Sequence, residues 1–320
     1  MNAHISLPRG ARWLLSLLFL LLATGVAART PEPLSGQYKA AMVYDYQSNE
    51  VLYQEHVHER MDPASLVKMM VVLLTMESVE RGEHKLSEPV KVSAKASKIG
   101  GHQVYLKHGE VFALQDLLRA VVMASANDAS FAVAEHVGGS QEKFVQLMNG
   151  RARELGMNDT RFANAHGLPP DRRRGQQANY TSAYDLALLA RELMKYPQVR
   201  KWAATRTANF RNGKLLLVNT NRRFLQSFKG ADGFKTGYHP RGAGFSLVAT
   251  AEREGRRLVA VVLGAKNSRS RLQAASQLLE MGFAGKLERR TDAKPVLLEA
   301  PLVLGATGPA IAPTANAAFQ

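Results

Sequence analysis

Apolar and polar positions alternate in steps of two near both ends of this chain and recur in helical steps through its middle. Lys39–Asp45 and Val51–Glu55 read as a β-hairpin around the polar turn Gln47–Glu50, and Phe245–Arg253 and Arg257–Ala265 as a second hairpin turning at Glu254-Gly255. Ala231–Thr236 reads as one more strand. Between them, Asp62 caps a helix with Pro63 in its first position, and Leu66–Met76 is apolar on every side, which predicts a buried helix. Further helices are expected over Leu114–Met123, Ala129–Val137, Ser140 (as cap) to Leu155 and Asp185–Lys195, with Ser268–Met281 closing the compact part. Residues 164–180, with two prolines, two glycines and three adjacent arginines, read as a long loop. Strands at both ends with helices between them predict an α/β (α+β) fold: one sheet assembled from both chain ends, helices on both of its faces, and an inserted helical lobe.

The termini depart from this pattern. Arg9 and Arg12 precede the apolar run Trp13–Ala23, broken only by Ser16, and Val26-Ala27-Ala28 offers small residues for cleavage. The run is too short to span a bilayer, which takes about 20 residues, so residues 1–28 read as a secretory signal peptide and the protein as exported, to the periplasm or the outer side of the cytoplasmic membrane. Residues 29–37, with Pro31, Pro33 and Gly36, read as a linker, 38–285 as the compact domain, and 286–320 as an Ala/Pro-rich tail, expected to be flexible and to have no core of its own.

Charge and cysteine content narrow the chemistry. Forty-two Lys and Arg against 27 Asp and Glu give a net charge of +15, of which Arg9 and Arg12 supply two. For an exported chain the nearer partners are anionic envelope polymers and membrane surfaces rather than nucleic acid. The basic clusters, such as Arg172–Arg174, Arg222-Arg223, Arg256-Arg257 and Arg289-Arg290, carry no interleaved aromatics on which bases would stack. The absence of cysteine excludes thiol nucleophiles, iron–sulfur clusters, cysteine zinc sites, disulfides and a thiol-linked lipid anchor. Oxygen and nitrogen must do the chemistry.

Ser65-Leu66-Val67-Lys68 opens the buried helix. Three residues apart, serine and lysine share a helix face, so the amine reaches the hydroxyl and can take its proton. Ser65 also lies in the first turn, where backbone N–H groups lack intrahelical partners and favour developing negative charge. The same spacing recurs at Ser140–Lys143, where it reads as a cap followed by an exposed lysine. Two further elements are each unique in the chain: Ser125-Ala126-Asn127, at a break between helices, and Lys235-Thr236-Gly237, ending a strand, where a glycine permits close approach of a ligand backbone. The only close histidine pair, His56-x-His58, reads as surface strand residues rather than metal ligands.

In these three motifs the chain resembles the serine D-alanyl-D-alanine carboxypeptidases, low-molecular-weight penicillin-binding proteins that share a fold with serine β-lactamases. The likeness extends to Ala64–Met70, Gln103–Lys107, Ser125–Ala129, Phe162–Leu168, Asn219–Asn221 and Asp232–Tyr238, and covers roughly residues 38–283. It implies a β-lactamase/transpeptidase-like antiparallel sheet and acyl transfer on peptidoglycan stem peptides, with β-lactams as covalent inhibitors and neither metal nor organic cofactor. Ser65 is then the nucleophile and Lys68 its base, Ser125 relays a proton to the leaving amine, and Asn127 holds the substrate backbone. Lys235 and Thr236, with Gly237, meet the terminal carboxylate, and the N–H groups of Ser65 and Tyr238 form the oxyanion hole.

The departures bear on specificity. Val67 stands where the family often has threonine, and Tyr238–Gly244 is one residue longer than usual beside the cleft. The tail is too short for the second domain of many members and lacks a basic amphipathic anchor. A D,D-endopeptidase that cuts cross-links would use the same residues and stays an alternative. A β-lactamase is disfavoured by Ala126, where class A enzymes have aspartate, and by the lack of a counterpart to their deacylating glutamate segment. A non-catalytic wall-binding protein is disfavoured by the intact motifs.

Overall fold

The computed structural model describes residues 36–240, 242–287 and 297–298. The expected signal peptide, most of the linker and most of the tail lie outside the described residues. In chain order come β1 (Ala40–Asp45), β2 (Val51–Glu55), helix α1 (Lys68–Glu80), the short strands β3 (Pro89–Lys91) and β4 (Val111–Ala113), and helices α2 (Leu114–Arg119), α3 (Asn127–Gly138) and α4 (Gln141–Glu154). They are followed by α5 (Ala183–Leu193), α6 (Pro197–Ala204), β5 (Thr207–Phe210), β6 (Leu215–Val218), α7 (Arg222–Ser227), β7 (Ala231–His239), β8 (Gly244–Arg253), β9 (Arg256–Ala265) and α8 (Ser268–Phe283).

The expected sheet forms in the order β2-β1-β9-β8-β7, antiparallel at every step. Its inner strands are apolar without alternation because both faces are covered. Every residue of β1 is buried, and successive side chains point to opposite faces. Tyr44 donates its hydroxyl to Ala187 O of α5 on one face (3.3 Å), while Val43 faces Gly282 of α8 on the other. The β8–β9 turn carries Glu254 at φ 53° and Gly255 at φ 77°, two left-handed residues that suit a tight hairpin. Beside the sheet, α1 packs against α3, α4 and α5, which accounts for its apolar residues all round.

Four expectations are corrected. The helix after Asp62-Pro63 begins as a 3-10 turn, Ala64–Val67, and Asp62 accepts the Ala64 N–H (2.8 Å) from outside it, so Ser65 sits in the tighter turn and Lys68 opens the α-helix proper. The segment Leu114–Met123 is α-helical only to Arg119; Ala120–Ala124 widen into a π turn that ends at Ser125. His56 and His58 follow β2 in an exposed turn rather than lying in a strand, with His56 at φ 48°. Finally, the tail is held where it is described. Leu298 is buried, its N–H donates to Asn49 O (2.8 Å), Arg191 donates to its carbonyl, and Leu297 bridges Glu50. No helix among the described residues is long and apolar enough to cross a membrane.

Candidate active site

Sheet and helical lobe meet where β7 lies against the 3-10 turn, and glycines permit the approach. A Cβ on Gly237 would stand 2.8 Å from Pro63 O, and one on Gly167 would stand 2.0 Å from Ala64 O. Gly237 is therefore required by the turn that carries Ser65.

The three motifs converge. Lys68 Nζ donates to Ser65 Oγ (3.0 Å) and to His166 O (2.5 Å). Lys235 Nζ, reaching in from β7, donates to Ser125 Oγ (2.8 Å) and to Thr236 O (3.0 Å), and Thr236 donates its hydroxyl to Thr220 Oγ1 (2.8 Å). Ser125 owes its position to the π turn: it adopts φ 59°, ψ 31°, a left-handed conformation that costs a serine about 1–2 kcal/mol. Asn127 is fixed twice, through its N–H to His102 O (2.7 Å) and its Nδ2 to Gly100 O (2.8 Å). Its buried Oδ1 has no hydrogen-bond partner among the described residues. Tyr238, half exposed, packs its ring 4.2 Å from that of Phe245.

Both lysines are buried, and their stems share a small void of about 10 Å³ with Met69, Val72, Val121 and Phe234. Burial pushes the Lys68 amine well below the usual lysine range, and the Lys235 charge pushes it further; Asp128 opposes. Lys235 is lowered to about 7, by burial first and then by Arg271. His166 falls to about 4 through burial and the Lys68 charge, so it is neutral in neutral water. Its Nδ1 accepts the Leu168 N–H (3.1 Å), while its carbonyl serves Lys68.

The cleft encloses about 480 Å³ and is lined by Ser65, Ser125, Asn127, Thr236, Tyr238 and Arg271 among others. Arg271 was not singled out from the sequence. It enters from α8, its guanidinium 5.8 Å from the Phe245 ring centroid and its Nε buried without a partner. The role of Asp128 was missed as well: its carboxylate accepts the N–H groups of Val104 (3.2 Å) and Leu106 (2.9 Å), which pins the segment beside the cleft to α3. The unique Ser-Ala-Asn-Asp run was a signal for Asp128; for Arg271 the sequence held none.

Comparison with known proteins agrees with this geometry. Residues 27–267 match the peptidase S11 family model, described as D-alanyl-D-alanine carboxypeptidase. The chain is 38% identical over 259 residues to the D-alanyl-D-alanine carboxypeptidase DacF of Bacillus subtilis, covering 80% of this chain and 64% of that relative's length. It is 36% identical over 290 residues to DacC of Escherichia coli, covering 88% and 70%. Among solved structures it resembles the D-alanyl-D-alanine carboxypeptidase of Mycobacterium tuberculosis (TM-score 0.73, 28% identity, 85% of this chain and 98% of that one). It also resembles penicillin-binding protein D2 of Listeria monocytogenes in its ampicillin-bound form (TM-score 0.69, 31% identity, 77% and 97%). Sequence, fold and the meeting of three distant motifs at one serine agree: the chain belongs to the D-alanyl-D-alanine carboxypeptidase family.

Proposed function

We propose that this protein is a serine D-alanyl-D-alanine carboxypeptidase that removes the terminal D-alanine from peptidoglycan stem peptides. The observation that carries the reading is the pair of contacts Lys68 Nζ–Ser65 Oγ, 3.0 Å, and Lys235 Nζ–Ser125 Oγ, 2.8 Å. Neutral Lys68 takes the Ser65 proton as Oγ attacks the penultimate D-alanine carbonyl, and the N–H groups of Ser65 and Tyr238 receive the oxyanion. Ser125 passes its proton to the departing amine and takes the one Lys68 holds, the C–N bond breaks, and D-alanine leaves with Lys68 neutral again. Water, giving its proton to Lys68, then frees Ser65 by hydrolysing the ester.

Asn127 Oδ1 accepts a substrate amide N–H. Lys235, Thr236 and Arg271 together suit a free carboxylate, the group that marks a chain terminus, and this favours a carboxypeptidase over the D,D-endopeptidase reading. Penicillin acylates the same serine. The basic start and short apolar run of residues 9–23 support a site of action outside the cytoplasm.

Labelled penicillin and a diacetylated peptide ending in Lys-D-Ala-D-Ala test the reading together. The parent protein is expected to retain label and release D-alanine, Ser65→Ala to do neither, and Lys68→Ala to acylate slower by about 10² to 10⁴. Label with cleavage of cross-linked muropeptides and no D-alanine release would transfer the assignment to a D,D-endopeptidase.

A further inference from the structure

Beyond the cleft, His84 and Glu88, in the turn between α1 and β3, meet His136 near the C-terminal end of α3. Glu88 Oε1 stands 2.7 Å from His84 Nδ1 and 2.5 Å from His136 Nε2, and the two imidazole rings lie 5.3 Å apart at a tilt of 52°. We propose that these three side chains form a zinc site, independent of the catalytic reading, that ties the turn to α3.

Four observations carry this. First, the nitrogens of two rings converge on a single carboxylate oxygen, with His136 lying 48 residues beyond Glu88 in the chain. Second, the other oxygen, Oε2, accepts the Lys85 N–H (2.7 Å), the kind of outer contact that orients a ligating carboxylate. Third, in a chain with 42 Lys and Arg, no Lys or Arg among the described residues pairs with Glu88; its ion-pair partners there are the two histidines. Fourth, the side chains are 20–28% exposed, so a cation can enter from solvent and a water can complete four-coordination. Two imidazoles with one carboxylate are a nitrogen–oxygen set that suits zinc, and they suit calcium or magnesium poorly because those ions prefer all-oxygen shells.

Zinc binding requires each imidazole to carry its proton on the ring nitrogen away from the ion, so that His84 Nδ1 and His136 Nε2 offer lone pairs beside Glu88 Oε1. With zinc–ligand distances of about 2.0–2.2 Å, the three atoms must spread by only about 0.5–1 Å from their present spacing. The part-exposed turn permits that shift. His56-x-His58, the only close histidine pair in the sequence, reads as surface residues rather than ligands. In the fold His58 turns to Asp159 (3.1 Å), and the competent set is assembled by tertiary structure.

The test is calorimetric titration of zinc chloride into the full chain, free of any affinity tag and stripped by chelator, alongside thermal unfolding with and without zinc. One zinc per chain is expected, with a raised melting temperature. His136→Asn and Glu88→Gln should each weaken binding on the order of 10²-fold, while His58→Asn should leave it unchanged. Absence of stoichiometric binding, or equal affinity in parent and His136→Asn, overturns the site and leaves a hydrogen-bonded carboxylate between two imidazoles. Should His136→Asn fail to fold, X-ray absorption at the zinc edge of the parent decides: two imidazoles and a carboxylate support the site, and any shell without two imidazoles rejects it.

Discussion

Lys68 and Lys235 are both out of water, and each holds its proton less tightly than a lysine in solution. The proposed mechanism asks opposite things of them: Lys68 is to be neutral to take the serine proton, and Lys235 charged to hold a carboxylate. As pH falls, Lys68 gains a proton and acylation slows. As pH rises through about 7, Lys235 loses its charge and carboxylate capture weakens. A bell-shaped profile of kcat/KM for the D-Ala-D-Ala peptide is therefore expected, and Lys235→Arg should move the alkaline limb upward whatever it does to the maximum rate. An alkaline limb that stays in place would show that another group sets it. At this scale the sequence was informative about side chains and silent about surroundings. Ser65, Lys68, Ser125, Asn127, Lys235 and Thr236 could be named because their types and order are unusual. The His166 carbonyl that holds Lys68, and the Arg271 guanidinium beside Lys235, come from elements whose local pattern is ordinary.

The same Ser-x-x-Lys spacing yields two different structures, and the neighbouring elements explain why. Ser140 Oγ accepts the N–H of Lys143 (3.1 Å) and caps α4 as its sequence predicts, whereas Ser65 lies in a 3-10 turn pressed by β7 and donates no such cap. Ser140→Ala should cost about 1 kcal/mol in denaturant unfolding and leave the rate of penicillin labelling unchanged. Long elements were readable because a periodic face repeats many times: β8, β9 and α8 fall within two residues of their expected bounds. The ribbons β3–β4 and β5–β6, with strands of three and four residues, and the short helices α6 and α7 offered too few repeats. They exist because the lobe packs on them. The π turn before Ser125 was unreadable for another reason, since an added residue in one turn leaves composition and polarity unchanged.

Over the whole molecule, the far C-terminus reaches back to the first hairpin. Composition assigned no core role to the tail, and buried leucines as far apart as Leu287 and Leu298 give no periodic signal. Leu298→Ala is expected to lower unfolding stability by about 2 kcal/mol without altering acylation, read by chemical denaturation beside labelled penicillin. The larger tie between the ends is β1 against β9, with Ala40 opposite Leu263 and Arg256 donating to Asp45 (2.7 Å). That pairing puts the fold on a schedule. While the ribosome is still making the helical lobe, β1 has only its hairpin partner, and a two-stranded hairpin is marginal alone in water. The strand that completes it arrives more than 200 residues later and must close a long loop, which slows assembly. Until β9 is made, β1 and β2 therefore stay open to other partners, and the sheet closes only after nearly the whole fold has been synthesised.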